Sequence, residues 1–95
     1  MAAEIDVAHD GNIKRFQVNQ DGHLAFLQYR QDGDVMVLEE TQVPAALEGR
    51  GIGSSLAKAA LGYARANKFA VKVECTFVQG YLKRHPEYQD LVAKE

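Results

Sequence analysis

The stretch Leu47-Glu48-Gly49-Arg50-Gly51-Ile52-Gly53-Ser54 constrains the fold of this chain more than any other. It stands between a strand-like run that stops at Val43-Pro44 and an amphipathic run that starts at Ile52. It must therefore turn a strand into a helix within a few residues. The glycines permit backbone conformations closed to other residues. The first turn of the following helix carries N–H groups without intrahelical acceptors, at the positive end of the helix dipole. With no Cβ atoms to keep an oxyanion away, such a loop is a cradle for phosphate.

The elements on either side follow from local pattern. Apolar runs flank Asp21-Gly22, and Asp32-Gly33 separates a second pair of runs, so hairpin turns are expected at both. From Val35 to Val43, alternation puts Val35, Val37, Glu39, Thr41 and Val43 on one face and Met36, Leu38, Glu40 and Gln42 on the other. Three antiparallel strands in a meander result, with Ile5-Asp6-Val7 as a further short edge strand before the Asp10-Gly11-Asn12 turn. Ile52, Leu56, Ala59, Ala60, Tyr63 and Ala64 recur at helical spacing, which predicts a helix ending near Asn67-Lys68. Phe69, Val71, Val73, Cys75 and Phe77 alternate as one more strand joining the meander. A second helix is expected from Val78 to Arg84, and a last turn over Glu87 to Val92, opened by Pro86. The order of elements predicts an α+β (mixed α/β) layer, an antiparallel meander plus one further strand with two main helices, the sheet covered mainly on one side.

The 95 residues suffice for one domain, 1–95, with one core and room for one site. A net charge of −2 argues against a nucleic-acid binder, which presents a basic face to several phosphates. No apolar run approaches the ~20 residues of a membrane helix, and no leader is visible, so the expected location is cytoplasmic. One cysteine and three histidines without ligand spacing leave no basis for a disulfide scaffold or a metal site.

Spacing narrows the phosphate loop. A P-loop needs lysine after its last glycine, where Gly53 is followed by Ser54-Ser55. A dinucleotide fingerprint needs a third glycine three residues on and a parallel βαβ setting. Glu48-Gly49-Arg50-Gly51-Ile52-Gly53 resembles instead the cofactor loop of the GNAT superfamily of N-acetyltransferases, Gln/Arg-x-x-Gly-x-Gly/Ala. Together with Val43-Pro44, Leu56-Ala57, Ala59-Ala60, Tyr63-Ala64, Cys75, Phe77-Val78, Tyr81, Arg84 and His85-Pro86-Glu87-Tyr88, it is similar to the small stand-alone GNAT-like branch of about one hundred residues. The resemblance runs from about Phe16 to Val92.

That resemblance implies a minimal GNAT-like fold, acetyl-coenzyme A as cofactor and an amine, small molecule or protein, as acceptor. It assigns cofactor contacts to Val43, Gly49, Arg50, Gly51, Ile52, Gly53 and Ser54, with the pantetheine arm along Thr41 to Val43. Two positions depart from the family pattern. Glu48 replaces the Gln/Arg at the loop's head and repels pyrophosphate, which predicts weakened binding offset by Arg50. Glu40 replaces a histidine in the stretch before Pro44 and becomes the candidate general base.

Three side chains are therefore candidates for catalysis: Cys75, Tyr81 and Glu40. Cys75 reads equally as a small buried core residue or as a thiol at the opening of the sheet. Tyr81 reads as helix-to-sheet packing or, through the resemblance, as the proton donor to a leaving thiolate. Glu39 and Glu40, adjacent on a strand, are expected on opposite faces, so only one reaches the site. The leading reading is an acetyl-coenzyme A-dependent N-acetyltransferase. The alternative is a coenzyme A-binding or sensing module without catalysis.

Overall fold

The computed structural model describes residues 5–93. Five strands form one sheet in the order β1-β2-β3-β4-β5: β1 (Ala8–Asp10), β2 (Arg15–Gln20), β3 (His23–Asp32), β4 (Val35–Gln42) and β5 (Ala70–Val73). Helix α1 (Ile52–Ala66) links β4 to β5, and α2 (Thr76–Arg84) follows, with 3-10 turns at Ala45–Leu47 and Pro86–Leu91. This is the mixed α+β layer expected from the pattern.

Both hairpins form where Asp-Gly pairs require them. Asp21 and Gly22 take φ of 53° and 76°, left-handed values that aspartate tolerates and glycine adopts freely. Alternation on β2 and β3 buries Phe16, Val18, Ala25, Leu27 and Tyr29. Met36 and Leu38 of β4 join them, and α1 lays Ile52, Leu56, Ala57, Ala60, Leu61 and Ala64 against the same cluster. Val78, Tyr81 and Leu82 of α2 complete it. The other sheet face is mostly polar, with Arg15 over the Phe26 ring and Arg30 paired to Glu39 at 3.0 Å.

Four details differ from the sequence expectation. The N-terminal strand is Ala8–Asp10, three residues beyond Ile5-Asp6-Val7, and pairs with Arg15–Gln17. Strand β5 runs parallel to β4, Val35↔Ala70 to Leu38↔Val73, and does not extend the antiparallel meander. The fifteen-residue α1 returns the chain to the end where β4 began. Strand β5 also stops at Val73, not Phe77. The N–H groups of Glu74 and Cys75 both donate to the Leu38 carbonyl, at 2.9 and 3.2 Å, which ends the ladder. Cys75 becomes the N-cap of α2, so that helix starts at Thr76, two residues before the expected Val78.

The fourth difference has the largest effect on the site. Gln28 pairs with Glu40 but Tyr29 pairs with Leu38, so Glu39 is an extra residue, a β-bulge. Past it the two faces of β4 exchange. Thr41 pairs with buried Leu27 and lies on the core side with Leu38, whereas strict alternation puts Thr41 and Leu38 on opposite faces.

Candidate functional site

At the C-terminal end of β4 the structure has a cleft of about 380 Å³ lined by Thr41 and Val43 of the strand end, Leu47 to Gly49, Gly51 to Ser54 and Phe77. Its geometry comes from how β4 and β5 part. They pair only as far as Leu38 and Val73, and β4 continues to Gln42 paired with β3 alone. The edge of β4 that faced β5 therefore loses its ladder partner past the bulge, and its peptide groups are free for an extended ligand.

The loop supplies the other wall. Gly49 and Gly51 take φ of 81° and 76°, which lets the chain reverse and enter α1 with its first turn open to the cleft. Gly51 is the N-cap and α1 has no side-chain cap and no acidic residue in its first turn. The first helical bond is Ser55 N–H to the Gly51 carbonyl at 3.0 Å. Among the described residues the N–H groups of Ile52, Gly53 and Ser54 find no acceptor, so three donors and the helix dipole face the cleft. Gly53 is needed for a second reason: a Cβ there would stand 2.7 Å from Cζ of Phe77. The aromatic ring of α2 thus rests on the first turn of α1.

Of the residues assigned to the cofactor, Val43, Gly49, Gly51, Ile52, Gly53 and Ser54 come together as cleft lining. Arg50 does not. Its guanidinium turns to the β2–β3 hairpin, where Nη1 donates to Asp21 Oδ2 at 2.7 Å and to Gln20 Oε1 at 3.1 Å. Glu48, at the head of the loop, does line the cleft and is the only charged side chain among the described residues that does so.

The three catalytic candidates separate. Glu40 pairs with Gln28 and accepts from Gln42 Nε2 at 3.1 Å, on the solvent face away from Thr41. Glu39 bonds Arg30, which shares that face with Gln28, so both carboxylates stand on one side and not on opposite sides. Cys75 is buried beside the parting strands and its thiol donates to Thr41 Oγ1 at 3.3 Å, one residue removed from the cleft. Tyr81, buried on α2 one helical turn beyond Phe77, stacks on His85 with ring centroids 4.1 Å apart. Burial first, then Tyr88 and Glu87, raises its pKa above the ordinary 10.0, so the phenol keeps its proton at neutral pH. Arg84 and His85 do not line the cleft, and His85 lies 3.5 Å from Glu87.

Phe77 is the residue that sequence reasoning missed. Period-two alternation continued through it, although Cys75, Val78, Tyr81 and Leu82 already spell the buried stripe of a helix starting at Thr76. That spacing leaves Phe77 off the stripe, and the ring is 39% exposed.

Comparison with known proteins agrees with this fold. A family described as GCN5-related N-acetyl-transferase matches residues 15–91. The chain belongs to that family. The structure is similar to the solution structure of a GCN5-like protein from Staphylococcus aureus, with a TM-score of 0.74 and 26% identity over 96% of this chain and 90% of that one. Protein NATD1 of chicken and of human are each 38% identical over 52 residues. That stretch is 55% of this chain and 47% and 46% of theirs, so the match spans about half the length of these relatives. Family membership supports an acetyltransferase role. No described helix is long and apolar enough to cross a membrane, and no described group of His, Cys, Asp and Glu side chains could hold a metal.

Proposed function

We propose that this chain binds acetyl-coenzyme A in the cleft and transfers the acetyl group to an amine. The observation that carries this reading is the set of unpaired N–H groups at Ile52, Gly53 and Ser54, which open onto the same cleft as Thr41 and Val43. The residues present fit the cofactor. Donors without partners suit a pyrophosphate, the unladdered edge of β4 suits an amide-bearing arm, and Gly53 leaves space that a Cβ would occupy.

Bound acetyl-coenzyme A supplies an activated acyl thioester. The chain's own part is orientation and charge. Backbone N–H groups near Val43 hold and polarise the carbonyl, which is the kind of fixed-dipole stabilisation that needs no reorganisation. Tyr81 is outside the cleft lining, one helical turn beyond Phe77, and is the remaining candidate for proton donor to the departing thiolate, with a raised pKa that keeps the phenol protonated. Glu40 stands on the outer face, so removal of the amine's proton falls to water. Cys75 is buried and its sulfur is engaged with Thr41 Oγ1 at 3.3 Å, one residue removed from the cleft, which favours direct transfer over a covalent relay. Its unpaired thiol suits a reducing cytoplasm.

The alternative, a coenzyme A-binding module without transfer, is favoured by one feature: among the described residues Glu48 is the only titratable side chain lining the cleft. Two measurements decide. Titration of isotope-labelled protein with acetyl-coenzyme A should shift the amides of Gly49, Gly51 and Gly53, and unmoved glycines would exclude both readings. Steady-state transfer to a panel of amines should fall in Tyr81→Phe and persist in Cys75→Ala and Glu40→Gln. Binding without transfer to any amine would leave the module reading in place.

A further inference from the structure

We infer that Arg50 is the cation that reads the ligand's phosphates and that Asp21 holds it back, so a carboxylate on the β2–β3 turn sets how tightly the coenzyme binds. This rests on the proposed coenzyme A reading. Among the described residues the cleft lining contains no lysine or arginine and one carboxylate, Glu48. Backbone dipoles alone face a multiply charged ligand beside a like charge, a poor electrostatic match. Arg50 is the cation built into the loop, between Gly49 and Gly51, both of which line the cleft.

Its guanidinium is engaged elsewhere, and in a way that is easily undone. One nitrogen, Nη1, makes both contacts, to Asp21 and to Gln20. The side chains are 44% and 66% exposed, where an ion pair is weak and screened. A pyrophosphate carries two charges against the one of a carboxylate and can accept the guanidinium fork in two-point geometry, where Asp21 takes only Nη1. The chain neighbours of Arg50, Gly49 and Gly51, carry no side chains to hinder the guanidinium from turning toward the cleft. Asp21 belongs to the β2–β3 turn, at φ 53°, and not to the loop that carries the arginine. Ligand binding is thus an exchange of partners: Arg50 leaves Asp21 for a phosphate, and Asp21 passes to water.

The test is calorimetric titration with coenzyme A of the wild type, Asp21→Asn, Arg50→Gln and the double variant. Asparagine tolerates the same left-handed turn, so Asp21→Asn keeps the hairpin. Asp21→Asn should tighten binding about two- to fivefold, the range of an exposed ion pair. Arg50→Gln should weaken it, and Asp21→Asn should add nothing in the Arg50→Gln background. The gain should shrink as salt rises. An unchanged dissociation constant in Asp21→Asn would overturn the inference. So would an equal gain with and without Arg50, which would make Asp21 a remote charge only. The loop glycine amides separate the two levels of the argument. If they respond to coenzyme A while Asp21→Asn is silent, the exchange is wrong and the cofactor reading stands. If they respond in no variant, the cofactor reading fails and the exchange with it.

Discussion

The two ends of α1 are built on opposite terms. At its N-terminus a left-handed glycine replaces any side-chain cap and three N–H groups stay unpaired. At its C-terminus nearly everything is tied down. Asn67 uses both its backbone N–H and its side-chain amide on the Tyr63 carbonyl, and Phe69 N–H reaches the Ala64 carbonyl at 2.8 Å. Arg65 holds Asp90 through two hydrogen bonds and the Glu87 carbonyl through a third. Tyr63 enters an aromatic cluster in which His9 lies parallel to Phe16 at 4.2 Å and edge-on to Tyr63 at 4.5 Å. One end is left unsatisfied where a ligand can complete it, and the other is satisfied internally where the sheet edge needs an anchor. A small domain has little stability to spare, so an open helix end is tolerable when the far end is closed.

Four substitutions test that contrast. The largest effect is expected from Phe16→Ala at the closed end, where a buried ring is lost: about 3–5 kcal/mol of stability by urea unfolding. A cost below 1 kcal/mol would mean that the cluster anchors nothing. Next is Gly51→Ala at the open end, which forces a Cβ into φ 76°. Strain of about 1–2 kcal/mol is expected, together with about tenfold weaker coenzyme A binding. Equal affinity in calorimetry would detach Gly51 from the site.

Gly53→Ala should be milder. Alanine favours the helix by about 0.5–1 kcal/mol, but its Cβ displaces the exposed Phe77 ring into the cleft. Melting should hardly move while binding weakens, and the weakening should vanish when Phe77→Ala is added. Persistence of the defect in the double variant would place the cause elsewhere.

The smallest effect concerns pH. Burial, then Lys14, lowers the His9 pKa below 6.5, against a smaller opposing pull from Asp10. Unfolded chains then take up the proton first, so stability falls as pH drops below 6.5 and levels off once the folded pKa is passed. Asp90 works lower. Its hydrogen bond from Arg65 depresses the carboxyl below 3.8, so its contribution is lost only at more acid pH. His9→Gln should flatten the melting temperature between pH 7.5 and 5.5 and leave the more acid transition in place. An unchanged slope would show that His9 is not the titrating group.

The features legible from residue order are those that depend on neighbours along the chain. The hairpins at Asp21-Gly22 and Asp32-Gly33, the helix from Ile52, the glycine turn into it and the stop at Pro44 are all short-range demands of backbone geometry and hydrophobic period. The likeness to the GNAT loop was legible for the same reason, since its residues are consecutive. The remaining features depend on partners far away in sequence. The bulge at Glu39 exists because β3 pairs with β4 in two registers, and it exchanges the faces so that Thr41, not Glu40, meets the core side. Cys75 and Phe77 leave the strand because one carbonyl, at Leu38, takes both of the last N–H groups. Arg50 is drawn from its own loop by Asp21, 29 positions earlier. Local pattern reads the cradle, whereas the charges around it are set by which distant strands and turns the fold brings beside it.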